Sequence, residues 1–236
     1  MSVKPLTTAL NCLHLMEVLS EQPAPLRLAD VARLIGESRA TTYQRLLTLV
    51  TAGWMEHTEH GTYRLTVRAL RIASGALEQA GLGERVVPIL NTLTTATRQT
   101  SSLVLAEGPR IYIAQRVEAR GVLRADLNVG TELSIRESPS GMVWTAFGPP
   151  SFRASLQESG TETAPENRLR EVRQAGYAAG GGGETLLGIR GCAVPVLNPG
   201  GTCIASISLF GPEETFDPDA AIPALRAAAA ALAAMF

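Results

Sequence analysis

Lysine is almost absent from this 236-residue chain: Lys4 stands alone, and the rest of the positive charge is arginine. That preference suits planar contacts to phosphate and guanine, but an Ala/Arg-rich coding bias is the better explanation. Formal net charge is only -1, so global attraction to nucleic acid or to an anionic surface does not organise the molecule. Any such contact must come from local charge. Histidine is scarce too: His14, His57 and His60 all lie near the N-terminus, and the larger C-terminal part has none. A Ser-His-Asp triad, a Cys-His pair or a histidine metal site there would need a histidine from elsewhere. Glu107, Glu118, Asp126 and Glu184 show no pairing by spacing, so no catalytic residue, metal or cofactor is expected. Cys12, Cys192 and Cys203 are odd in number and form no Cys-x-x-Cys pair, which argues against a disulfide framework or a zinc ribbon and for core thiols. No apolar run reaches the roughly 18 to 20 residues of a membrane span, and the N-terminus lacks the layout of a signal peptide. A cytoplasmic protein without a membrane partner is expected. Gly180 to Gly183 lacks the Lys-Ser/Thr that comes after the glycines of a phosphate loop, so it reads as a flexible loop.

What is present is a hydrophobic content of 45%, enough for real cores in one large domain or two ordinary ones. The stretch from Ser38 to Gly53 reads as a helix with two faces. Leu46, Leu49 and Val50 make an apolar stripe, while Arg39, Thr41, Gln44, Arg45 and Thr48 cover a side without carboxylates. Before it, Leu28, Val31, Ala32 and Ile35 form the apolar face of a shorter helix closed by Gly36. The pair is a helix-turn-helix candidate. Nearer the N-terminus, a helix over residues 6 to 20 lines up Leu6, Leu10 and Leu13, with Leu15, Met16 and Leu19 beside them. Pro23 and Pro25 end it. Residues 54–57 and 62–65 alternate as a hairpin whose tip carries His60 and Gly61, with Arg64 close behind, and a winged helix-turn-helix results.

Thr66 opens a further helical pattern to about Gln79, apolar on more than one face, as a linker helix packing on its twin in a dimer would be. Beyond Ala80 to Gly83 a helix resumes over residues 84 to 98. From Ser101 the period shifts to strands: residues 102–107 and 110–117 about Gly108-Pro109, an added strand over 123–127, and a return to extended structure from Tyr177. Short helices are expected at 139–147, 151–158 and 166–175. Strands over 186–197 and 202–210 flank the turn from Asn198 to Gly201, and Asp217-Pro218 caps an Ala-rich last helix. If Leu197 faces Thr202, then Cys192, Val194, Val196, Cys203, Ile207 and Leu209 share a core face. Gly191, Ala193, Pro195, Ser206, Ser208 and Phe210 share the other, where small side chains suit either a ligand pocket or tight helix packing. Ser138 and Ser140 with Gly141 start a helix that suits an anion or merely a serine cap.

These features, in order, resemble the IclR family of bacterial transcriptional regulators over nearly the whole chain. The resemblance is carried by Leu6-x-x-Ala9-Leu10, Leu28-Ala-Asp-Val-Ala32, Thr41-Thr-x-x-Arg45-Leu-Leu, Gly53-Trp54 and Gly61-Thr-Tyr-Arg-Leu65. It continues in Ala114-x-Arg116-Val-Glu118, Gly176-Tyr177-Ala178, Glu184-x-x-x-Gly188, residues 193–198 and Gly211-Pro212. The chain departs from the family at Gly141-Met-Val143, where Gly-Lys-Ala is usual, at Phe210, where serine is common, and in a turn at Gly36-Glu37-Ser38 that looks one residue longer. The resemblance implies an α+β protein: a winged helix-turn-helix (1–65), a linker helix (66–83) and a GAF-like antiparallel-sheet domain with flanking helices (84–236). It implies double-stranded DNA with a near-palindromic operator, a small organic effector and a homodimer or homotetramer. The expected DNA-contacting residues are Ser38, Arg39, Thr41, Thr42, Gln44, Arg45, Thr48, His60 and Arg64. Those expected around an effector are Leu123, Ser138, Ser140, Gly141, Met142, Gly191, Ala193, Ser206, Ser208 and Phe210. A winged-helix protein-interaction module with a sensor domain, or an enzyme using the C-terminal pocket, are the alternatives.

Overall fold

The computed structural model describes residues 4–79, 84–119, 127–181 and 188–234. The chain divides into two compact units, Met1–Ala76 and Leu77–Phe236. The first begins with α1 (Thr7–Ser20), then β1 (Leu26–Arg27), α2 (Leu28–Leu34), α3 (Arg39–Thr51), β2 (Met55–His57), β3 (Thr62–Leu65) and the start of α4 (Arg68–Gln79). The three strands form an antiparallel sheet in the order β1-β3-β2. Leu15, Leu19, Val31, Leu46, Leu49, Met55 and Tyr63 build its core. Gly36 takes a positive φ of 68° between α2 and α3, a conformation only glycine adopts cheaply. Thr66 does not start α4 but ties the wing back, its hydroxyl donating to the Gly53 carbonyl at 2.8 Å.

Of the two sets of leucines on α1, only one packs inward. Leu6, Leu10 and Leu13 stand exposed, and Leu15 and Leu19 turn inward. Two leucine stripes share this helix, and the small core accommodates only one.

The second unit opens with α5 (Val86–Thr97), β4 (Thr100–Glu107) and β5 (Arg110–Val117), then β6 (Glu132–Leu133), α6 (Pro139–Phe147), α7 (Pro150–Ser159) and α8 (Glu166–Ala175). It closes with β7 (Ala178–Gly181), β8 (Ile189–Leu197), β9 (Cys203–Pro212) and α9 (Pro218–Ala233). The strands form one six-stranded antiparallel sheet, β6-β5-β4-β9-β8-β7. Each face carries its own core. On one, Leu103, Cys192, Val194, Val196, Ala205, Ile207 and Leu209 pack with α5 and α9. On the other, Val104, Ile111, Ile113, Ala193 and Cys203 pack with Val143 and Trp144 of α6, Phe152 and Leu156 of α7, and Leu169 and Val172 of α8. Alternation along β8 and β9 assigns each residue to one side.

Two expectations fail in this sheet. A bulge between Val196 and Leu197 makes Leu197 pair with Cys203 instead of Thr202, while Val196 pairs with Ala205. Cys203 is thereby carried to the face of Ala193, away from Cys192, because one extra residue reverses the sidedness of the strand beyond it. Gly180 and Gly181 are not loop but part of edge strand β7, paired with Gly191 and Arg190. Residues 182 and 183 lie outside the described residues, and so does the strand expected over 123–127 apart from Leu127, which is buried but in no strand. No helix among the described residues is long and apolar enough to cross a membrane.

Candidate nucleic-acid interface and ligand cavity

Helix α3 is set by its ends and its buried stripe. Ser38 caps it, the hydroxyl accepting from the Thr41 N–H at 3.2 Å and sharing a hydrogen bond with the Thr41 hydroxyl at 2.9 Å. Leu46 and Leu49 enter the core, and so does Thr42. That corrects the placement of Thr42 on the outer surface: it is wholly buried, four residues before Leu46, and its hydroxyl donates to the Ser38 carbonyl at 3.0 Å. Its methyl serves the core while its polar atom is satisfied locally.

Opposite that stripe, Arg39, Ala40, Thr41, Tyr43, Gln44, Leu47 and Thr48 are exposed. Arg45 behaves differently. Its guanidinium donates to the Glu37 carboxylate in the turn before the helix, and the side chain is only 14% exposed. The side of α3 expected to be free of carboxylates therefore has one folded onto it from the turn. Glu37 Oε2 is itself buried without a hydrogen-bond partner among the described residues. The exposed pair Tyr43 and Leu47 is invisible to any sorting of the helix by charge. In the wing, His60 is exposed at the turn, and Arg64 is exposed while paired with Glu56 across the strands. His57 lies against the Tyr63 ring with centroids 4.6 Å apart. Burial of Tyr63, with Tyr43 nearby as the smaller cause, raises its phenol pKa above the ordinary value.

The second unit holds a cavity of about 50 Å³, lined by Ser102, Ile113, Leu127, Leu133, Ser138, Pro139, Ser140, Gly181, Ile189, Gly191, Cys192, Ser208, Leu209 and Phe210. Five of the expected effector residues come together here: Ser138, Ser140, Gly191, Ser208 and Phe210. Gly141, Met142, Ala193 and Ser206 are buried outside the lining, and Leu123 lies outside the described residues. The start of α6 is capped from within, by its own serine. The Gly141 N–H donates to the Ser138 hydroxyl at 2.9 Å, and Met142 N–H to the Ser138 carbonyl at 3.0 Å. Gly141 is needed for packing, since a Cβ there would lie 2.3 Å from the Ser134 carbonyl oxygen.

Ser102 joins the lining without having been expected there. It sits on β4 across from Ser208 on β9, and its hydroxyl is buried with no hydrogen-bond partner among the described residues. The Ser101-Ser102 pair is a visible signal in the sequence, but pairing β4 with β9 joins segments a hundred residues apart. Phe210 forms a wall of the cavity and carries the Arg116 guanidinium 5.5 Å from its ring centroid, a cation–π contact. Arg116 also lies 3.4 Å from Glu118. Cys192, beside the cavity, is a thiol whose pKa burial pushes up to about 12, far from a nucleophile's range.

Comparison with known proteins agrees with this layout. The family model described as the IclR helix-turn-helix domain matches residues 8–59, and the one described as bacterial transcriptional regulator IclR C-terminal matches residues 74–234. The DNA-binding transcriptional repressor YiaJ of Escherichia coli is 28% identical over 212 residues, 84% of this chain and 75% of that protein. The IclR transcriptional regulator structure from Alicyclobacillus acidocaldarius superposes with a TM-score of 0.82 at 21% identity, covering 98% of this chain and 99% of that one. An IclR homolog from Microbacterium hydrocarbonoxydans, solved in complex with 4-hydroxybenzoate, gives 0.78 at 21%, covering 97% and 98%.

Proposed function

We infer the mechanism from one premise: the chain belongs to the IclR family of bacterial transcriptional regulators, and is a DNA-binding regulator rather than an enzyme. The observation that carries the rest is α3, a capped helix whose outer face is exposed at the end of a helix-turn-helix. This helix enters the major groove, where Gln44 offers two hydrogen bonds to adenine and Arg39 to guanine or phosphate. Ser38, Thr41 and Thr48 lie along the same groove walls, and His60 and Arg64 of the wing approach the flanking phosphates. Arg45 serves through Glu37, holding the turn against the helix.

Two copies read one near-palindromic operator. A dimer is supported by exposed Leu10 and Leu13 on α1 with Leu6 just before it, and by Val67, Leu70 and Ile72 on and just before α4, since clustered exposed apolar side chains mark association surfaces. Such a pair sets two recognition helices about 34 Å apart, one turn of DNA. The protein acts in the cytoplasm, where its operator lies.

The cavity of the second unit takes the effector, a small organic acid by analogy with the 4-hydroxybenzoate complex of the structural relative. Ser102, Ser140 and Ser208 supply hydroxyls and Phe210 an apolar wall, while the Ser138 hydroxyl stays on its cap. At about 50 Å³ it has room for a few waters, so an aromatic acid enters only as the walls move apart. That movement gives the ligand unequal affinity for two states, and a coupling of about 1 to 3 kcal/mol changes operator affinity severalfold to a hundredfold. Repression and activation obey the same arithmetic. The test is binding of the purified protein to the intergenic DNA beside its own gene, by gel shift and anisotropy at two salt concentrations, and then a screen of small organic acids. Selective binding shifted by one acid supports the reading; a folded protein with no selective binding at low salt sinks it.

A further inference from the structure

We propose that the recognition helix reads thymine through its C5-methyl group, with Leu47 as the principal contact and Ala40, Tyr43 and Thr48 around it. This specificity rests on the DNA-binding role of α3 inferred above. The core-facing stripe is Thr42, Leu46 and Leu49. Directly opposite lie Ala40, Gln44, Leu47 and Thr51, related by the three- and four-residue steps of one helix face, and all four are exposed. Leu47 is 49% exposed, and Tyr43, one turn earlier, 47%.

The serine and threonine hydroxyls along this helix are already engaged, while among the described residues the phenol of Tyr43 is not. Thr48 donates to the Gln44 carbonyl at 2.8 Å, Thr51 to the Leu47 carbonyl at 2.8 Å, and Ser38 and Thr41 bond each other. The hydroxyl protons of Thr48 and Thr51 are thus used on the helix's own carbonyls and not left for a base edge. The nearest cation toward the middle of the helix, Arg45, is held by Glu37. What remains at the centre of the face is apolar, apart from Gln44 and the phenol tip of Tyr43. In the major groove one base-pair feature is apolar, the thymine methyl, and the neighbouring adenine presents the donor and acceptor that a glutamine amide matches. Leu47 beside Gln44 thus fits the two sides of an A·T pair or of adjacent A·T pairs. A leucine this exposed on a soluble helix is common and needs no function of its own; its place between Gln44 and Thr51 gives it a use.

The test uses the full-length protein and the intergenic duplex beside its gene, first mapped by footprinting. Thymines in the protected half-sites are then replaced by deoxyuridine, which removes only the methyl. Wild-type protein is expected to lose roughly fourfold in affinity for each contacted methyl. Leu47→Ala, a surface change whose thermal unfolding checks that it folds, is expected to bind the thymine duplex more weakly and to lose most of the discrimination against deoxyuridine. Equal binding of thymine and deoxyuridine duplexes by the wild type overturns the inference while leaving DNA recognition standing. Undiminished discrimination in Leu47→Ala overturns the assignment to Leu47. Absence of selective binding to the thymine duplex overturns the DNA-reading role of α3, and the inference with it.

Discussion

Single side chains here often do something other than their residue type advertises. Arg45 is a cation on the proposed recognition helix, yet its guanidinium is spent on Glu37. Arg45→Ala leaves the Glu37 carboxylate without its partner and should cost about 1 kcal/mol or more in chemical denaturation, since both groups are largely shielded from water. A double change of Glu37 and Arg45 to leucine should recover most of that stability, because it removes the stranded charge together with its mate. A double variant no more stable than Arg45→Ala would refute the pairing as the cause. The cysteines give a second residue-scale expectation. Burial pushes the thiols of Cys192 and Cys203 from an ordinary 9.0 up to about 12, so the folded state keeps protons that the unfolded chain releases. Their contribution to stability is complete below pH 9 and falls away as pH climbs toward 12. Under native conditions near pH 8, a thiol reagent should label Cys12 alone, which is partly exposed. Labelling of all three in folded protein would contradict the burial.

At the scale of elements, the hairpin β8–β9 builds much of one wall of the cavity. Phe210 lines the cavity wall with Ser208, two residues before it on the same face of β9, and with Ser102, the partner of Ser208 on β4. Phe210→Ser should widen the cavity and relax the size limit on ligands, measured as tighter binding of larger acids by calorimetry; unchanged ligand preference would show that Phe210 is not the limiting wall. How much of these elements is legible in the sequence depends on the range of the forces involved. The helices over 139–147 and 166–175 and the capped last helix are readable because periodicity, proline and Asp217 act within a few residues. Thr42 is easily misplaced because its hydroxyl suggests a surface while its spacing to Leu46 and Leu49 suggests a core, and spacing wins. The Glu37–Arg45 pair closes across a turn, eight residues apart, where helical spacing rules do not reach. Cys203 lands on the face opposite to the expected one because nothing local announces the bulge at Val196 and Leu197. Serines 138, 140 and 208 and Phe210 are identifiable from alternation and turn position, whereas Ser102 requires knowing that β4 lies beside β9.

For the whole molecule, the proposed assembly rests on apolar surface the isolated chain leaves in water. Leu70→Glu with Ile72→Glu should shift sedimentation toward monomer and weaken operator binding far more than either half-site contact would, as two linked recognition units become independent. A dimer that survives both charges would place the interface elsewhere. The two faces of the six-stranded sheet bear on how the protein would report a bound effector. Ser102 looks into the cavity, and Ser101, its neighbour in β4, looks the opposite way. There the Ser101 hydroxyl meets the Thr94 hydroxyl at 2.7 Å and donates to the Leu90 carbonyl at 3.1 Å, both on α5. A guest that grasped Ser102 and twisted β4 would tug on α5 through Ser101 on the other side. Between listening and speaking this domain interposes a wall one peptide bond thick.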